Sequence, residues 1–155
     1  MNLSEILEPG RVLGNVDARS KKRALEILSE LLSHAGEECV ATDIFENLVQ
    51  REKLGCTALG RGVALPHGRS PGLCGPAAAF VKLHEPVDFD SPDGEPVDLI
   101  FGLLVPEESS EDQAAALSDV TRLMADAKLR GTLREATSSS TLYELLADAA
   151  DRLTT

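Results

Sequence analysis

His67 is the residue of this sequence best placed to do chemistry. It lies in G-V-A-L-P-H-G-R-S, residues 62–70, where a short apolar run ends between a proline and a glycine. Turns favour Gly, Pro, Asn, Asp and Ser for backbone reasons, and histidine is not among them. Pro66 fixes its own φ and restricts Leu65, so the backbone feeding His67 is stiff. Gly68 removes bulk and lets another backbone come close. These choices suit a histidine presented to a partner with one ring nitrogen free. A neutral imidazole near pH 7 is a good nucleophile. A histidine that caps a strand end or fills a surface turn would leave the same local string, and the string alone does not choose between them.

Charge sharpens the choice. The chain carries a formal net charge of −11. Residues 1–75 hold 9 Lys+Arg and 10 Asp+Glu, while residues 76–155 hold 6 and 16. Within 51–69, Arg51, Lys53, Arg61 and Arg69 face Glu52 alone, a net of +3. A basic segment kept around the histidine of an acidic protein suits a small anion. A solvated loop could carry the same charges. The Thr57 hydroxyl could donate to the same anion or hold the loop. Arg61 and Arg69 read as surface charge for docking a partner.

The balance of the composition excludes other classes. A strongly acidic chain with 3% aromatics and no Trp lacks both the charge and the stacking surfaces for nucleic acid. Cys39, Cys56 and Cys74 form no C-x-x-C pair. Free thiols in a reducing cytoplasm are expected, with neither a disulfide framework nor a zinc site. Met1 to Pro9 has no apolar signal region, and no run approaches a membrane span. The expectation is a soluble cytoplasmic protein that inserts in no membrane.

The elements that must hold His67 can be read from spacing. The 155 residues, 43% hydrophobic, suit a single domain over 1–155 with a real core. Leu3–Leu7 is an entry segment stopped by Pro9-Gly10, and Val12–Val16 a short strand. Ser20–His34 is a helix capped by Ser20, and Thr42–Leu54 a second one capped by Thr42. A glycine-punctuated loop then leads to a strand at Val63–Leu65. Ala77–Leu83 reads as a strand buried on both faces, Pro86–Phe89 as its extension or an edge, and Val97–Val105 as the strongest strand. Helices at 110–127, 129–136 and 141–153 close the chain. This order predicts an α/β fold, one sheet covered by helices on both faces.

The wider string is more specific. R-E-K-L-G-C-T-A-L-G-R-G-V-A-L-P-H-G-R, Arg51 to Arg69, resembles the active-site signature of phosphotransferase-system IIA proteins of the fructose/mannitol type, and is closest to their nitrogen-regulatory branch. The resemblance continues through A-A-A-F-V-K-L-H-E-P-V-D-F and S-P-D-G-E-P-V-D-L-I-F-G-L-L-V-P-E, and covers nearly the whole chain. It implies a mixed β-sheet of about five strands between helical layers. It also implies that His67 accepts a phosphoryl group from a histidine phosphocarrier, with no cofactor and no metal, and that Arg51 lies close by as a guanidinium fork for the phosphate oxygens, the alternative being a surface helix residue paired with a nearby acid. The protein would then carry a phosphohistidine rather than turn over a small substrate. It would signal to target proteins such as a transporter or kinase.

One position departs from the family. A second histidine normally stands one turn into the helix that follows the P-E strand end, in an H-L-x-x-L-S string. Here that string is Gln113-Ala114-Ala115-Ala116-Leu117-Ser118. His34 and His84 match no such position and read as exposed structural residues. Gln113 either turns an amide N–H toward the phosphoryl group or closes a Ser110–Gln113 capping box. Two further functions stay open on sequence: a binding module that has lost phosphorylation, and a IIA component serving separately encoded IIB and IIC sugar-transport partners.

Overall fold

The computed structural model describes residues 2–108 and 110–153. The chain opens on a single helical turn, α1 (Leu3–Ile6), capped by the Asn2 side chain, and passes straight into strand β1 (Leu7–Val16). Helices α2 (Lys21–Leu32) and α3 (Ala41–Leu54) follow, with a 3-10 turn at Ser33–Ala35 between them. Next come short strands β2 (Ala58–Gly60), β3 (Val63–Ala64) and β4 (His67–Ser70), then the long strands β5 (Ala77–Val87) and β6 (Val97–Pro106). Helices α4 (Ser110–Met124), α5 (Ala127–Glu135) and α6 (Ser139–Leu153) finish the chain.

The strands form one mixed sheet in the order β1-β5-β6-β3-β2, with β4 also paired to β6. β5 and β6 run antiparallel at its centre, while β1 is parallel to β5, and β3 and β4 are parallel to β6. Strand alternation divides the core into two. Ala78, Phe80, Leu99, Phe101 and Leu103 face the layer that holds α1, α4, α5 and α6. Ala79, Val81, Leu83, Ile100 and Leu104 face α2 and α3. Phe80 and Phe101 meet edge to face at 5.9 Å on the first side. Helical layers on both faces are the expected architecture, with six strands rather than about five.

Several local expectations change. β1 runs through Pro9-Gly10 instead of starting after it. β1 pairs only with β5 and so is an edge strand, where proline is tolerated. Its register slips between Leu7 and Val12, and the buried Arg11 side chain fills the gap by donating to the carbonyls of Ala78 and Ile6 at 2.9 Å each. Ser20 does cap α2, accepting from the Arg23 N–H. α3 instead starts at Ala41, and its N-cap Val40 makes no side-chain bond, so Thr42 lies inside the helix. β2 forms within the region expected to be loop. His67 opens a strand rather than ending one.

Candidate functional site

His67 is held by the pairing of β4 with β6. His67 stands opposite Leu103 and Arg69 opposite Val105, so residues 67 and 69 share one face of the strand. His67 as a whole is 9% exposed. Its Nδ1 lies 2.8 Å from the Leu65 carbonyl, and its Nε2 lies 3.2 Å from Nε of Arg51. A guanidinium can only donate, so Nε2 must accept. That places the ring proton on Nδ1, where it donates to Leu65. The two contacts therefore fix one neutral tautomer with its lone pair on Nε2, facing a cation.

Arg51 reaches this position from the last turn of α3. Its Nη1 donates to the Gly55 carbonyl at 2.8 Å, which fastens the guanidinium to the helix end. Gly68 lets α3 come this near. A Cβ at residue 68 would overlap Oδ1 of Asn47, the atom that accepts from the Arg69 N–H.

Burial lowers the His67 pKa below its ordinary 6.5, and the Arg51 charge pushes the same way, against opposing contributions from the Leu65 carbonyl and Glu52. The neutral, nucleophilic form thus persists below pH 6.5. The sign for stability follows. Between the folded pKa and 6.5 the unfolded chain binds more protons. This contribution to stability is therefore complete above about pH 6.5 and is lost as pH falls from there through the folded pKa. An NMR titration of the His67 ring is expected to give a midpoint under 6.5, and Arg51→Met should move it upward. A midpoint above 6.5 in the unsubstituted protein would contradict this arrangement.

Thr57 is placed beside the site by a different route. Its backbone N–H and hydroxyl both engage the Glu52 carboxylate. Glu52 also pairs with Lys21 at 2.9 Å, and the Lys21 ammonium sits over the Phe89 ring. In this arrangement Thr57 holds the loop. The carboxylate side chain is only 6% exposed, so removing Lys21 would strand a buried charge. Glu52 and Lys21 come from separate helices, and no sequence signal links them.

Arg69 is more than surface charge. Its Nη2 donates to Oε1 of Gln113 at 2.6 Å and its Nη1 to the Glu107 carbonyl at 2.8 Å. Arginine has no acceptor, so the Gln113 oxygen is the atom it holds and the amide NH₂ remains for another acceptor. The Ser110 side chain of the expected capping box lies outside the described residues. Arg61 is elsewhere. It sits on the β2–β3 turn, where Val63 pairs with Leu99, four residues along β6 from the partner of His67. The basic segment of the sequence is therefore two sites. His34 and His84 are exposed. The three cysteines are free, and no cluster of three or more His, Cys, Asp or Glu suited to a metal occurs among the described residues. Among those residues no helix is long and apolar enough to cross a membrane.

Residues 5–149 match the family described as phosphoenolpyruvate-dependent sugar phosphotransferase system, EIIA 2. The chain belongs to that family. It is 45% identical over 148 residues to the nitrogen regulatory protein of Pseudomonas aeruginosa, covering 96% of each chain. The crystal structure of nitrogen regulatory protein IIA-Ntr from Neisseria meningitidis superposes with a TM-score of 0.84 at 40% identity, covering 92% of this chain and 97% of that one. The IIA mannitol structure from Escherichia coli shares the fold at 22% identity, with a TM-score of 0.74 and coverage of 90% and 97%. The nitrogen-regulatory IIA proteins are thus similar over nearly the full chain.

Proposed function

We propose that this protein is a regulatory IIA protein of the nitrogen-type phosphotransferase system. It accepts a phosphoryl group on Nε2 of His67 from a histidine phosphocarrier and signals through contacts with target proteins. The observation that carries the reading is the fixed tautomer. With Nδ1–H committed to Leu65, the Nε2 lone pair is the one nucleophilic site on the ring. In the transfer that lone pair forms the new N–P bond while the carrier's N–P bond breaks, its electron pair returning to the carrier's imidazole. Positive charge developing on His67 is shared with the Leu65 carbonyl through Nδ1–H. The Arg51 guanidinium is released from Nε2 and binds the phosphoryl oxygens, with the transferring group neutralised as it moves. Thr57 contributes by holding the segment after α3 to Glu52, beside Arg51. The nitrogen-regulatory assignment rests on the Pseudomonas and Neisseria relatives.

Incubation with phosphoenolpyruvate, enzyme I and the phosphocarrier, followed by intact mass and ³¹P NMR, tests the reading. One acid-labile phosphoryl group is expected, on Nε2. No added mass would favour a docking module that has lost the chemistry, and a phosphoryl group on Nδ1 would contradict the tautomer argument.

Gln113 completes the proposal. Its amide NH₂, aimed by Arg69, donates a neutral hydrogen bond where the family usually has an imidazole. Charge-assisted bonds are about twice as strong as neutral ones. The Gln113→His variant is therefore expected to lengthen the half-life of phosphorylated His67 several-fold near pH 6.5. An unchanged half-life would remove Gln113 from the site.

A further inference from the structure

A second basic site lies away from His67. The register of β3 and β4 on β6 separates the two by four residues, roughly 13 Å at a strand rise of about 3.3 Å. Here Arg61 from the β2–β3 turn meets Arg130 and Arg134 from α5. Arg134 is occupied: it forks onto Asp98 at 2.9–3.2 Å and donates to the Arg61 carbonyl at 2.7 Å. Arg130 is buried at 6% exposure, and its one side-chain hydrogen bond among the described residues runs from Nη1 to the Met124 carbonyl at 2.8 Å. The Arg61 guanidinium has neither a hydrogen bond nor an ion pair among the described residues, although its backbone is fixed. Its φ is +57°, and its N–H donates to Asp93 at 2.7 Å.

Arg61 and Arg130 both line a cleft of about 310 Å³. Leu59, Val63 and Met124 form its apolar wall, Thr121 adds a hydroxyl, and the lining contains no carboxylate. Three of the nearby acids are committed elsewhere, while Glu95 lines a neighbouring cleft with Arg61, Arg130, Arg134 and Asp98. Asp98 holds Arg134, Asp93 holds the Arg61 N–H, Ser91 and the Glu95 N–H, and Asp126 caps α5. Burial and the charges of Arg61 and Arg134 all disfavour the cationic form of Arg130, with Asp126 the opposing influence. A bound anion would relieve that repulsion.

We propose that this cleft binds a small organic oxyanion, a phosphate or carboxylate on a short carbon skeleton. Arg61 and Arg130 hold the charged group, and the Leu59–Val63–Met124 wall covers the carbon chain. Guanidinium forks suit either head group. The cleft is larger than inorganic phosphate needs, which points to the organic ligand. Binding here is independent of phosphoryl acceptance at His67, so failure of either reading leaves the other standing.

The test is an amide NMR titration at constant ionic strength with inorganic phosphate, glycerol 3-phosphate and succinate in turn, on the full chain and on its His67→Ala form. Saturable shifts at Gly60, Gly62, Thr121 and Ala125 are expected, the same in both proteins. Preference for glycerol 3-phosphate identifies a phosphate ligand, and preference for succinate a carboxylate. Arg61→Asn should weaken binding at least tenfold. Asparagine accepts the left-handed backbone at this exposed turn, and an unchanged melting temperature will confirm the fold. Shifts that fail to saturate with every probe, shifts confined to residues around His67, or equal affinity in Arg61→Asn would each overturn the proposal.

Discussion

His67→Ala will take up no phosphoryl group from a charged phosphocarrier, yet it will melt within a few degrees of the unsubstituted protein. The chain has three histidines, and the other two, His34 and His84, are exposed and lie on the 3-10 turn and on β5. Neither has Arg51 beside it, and neither has a ring nitrogen pinned by a buried carbonyl. Loss of the phosphoryl acceptor is therefore complete rather than partial. The structural cost is small because, among the described residues, the ring makes two polar contacts, to Leu65 and Arg51. A typical net hydrogen bond contributes about 1 kcal/mol, which for a chain of this size is roughly 2–4 °C in Tm. Arg51 keeps its bond to Gly55, so the α3 end stays ordered. Intact mass and calorimetry on the same sample check both halves. A phosphoryl group on the variant would relocate the acceptor, and a collapse in Tm would make His67 a structural residue.

Gly102→Val will destabilise the core by about 3 kcal/mol. Gly102 lies in the middle of β6, opposite Ala79. A Cβ there would come within 2.8–2.9 Å of three side-chain atoms of Leu28, which is itself fully buried in α2. Valine adds two methyl groups beyond that clash. Leu28 is fully buried, so either its side chain must repack or α2 must shift from the sheet. Overpacking of this kind costs roughly 1–3 kcal/mol, and the upper end of that range corresponds to a fall in Tm of about 6–12 °C. Gly131 supplies the contrast. It lies in α5, and nothing stands within 4 Å of its would-be Cβ. Gly131→Ala should stabilise the helix by roughly 0.5–1 kcal/mol. If Gly102→Val melts where the parent does, α2 is not seated on β6 as described.

Features that depend on neighbours along the chain are legible in the sequence. Ser20 caps α2 because its hydroxyl needs only the N–H three residues on. The apolar spacing of α6 and the continuous run of β6 are local patterns, and both elements form where they are expected. The P-H-G string is also local, and it marks His67 without any knowledge of the fold.

Features that depend on register and on distant partners emerge only when the chain is folded. β1 continues through Pro9-Gly10 because Arg11 meets the carbonyl of Ala78, 67 residues away. Thr57 turns from a candidate anion donor into a loop holder because α2 brings Lys21 to Glu52. Arg69 gains its role from Gln113, 44 residues later, once β4 pairs with β6 and α4 follows. Arg51 and Arg61 look like one basic segment in sequence. The pairing of β3 and β4 along β6 sends them to different places, because a strand advances about 3.3 Å per residue and four residues are enough to keep the sites apart.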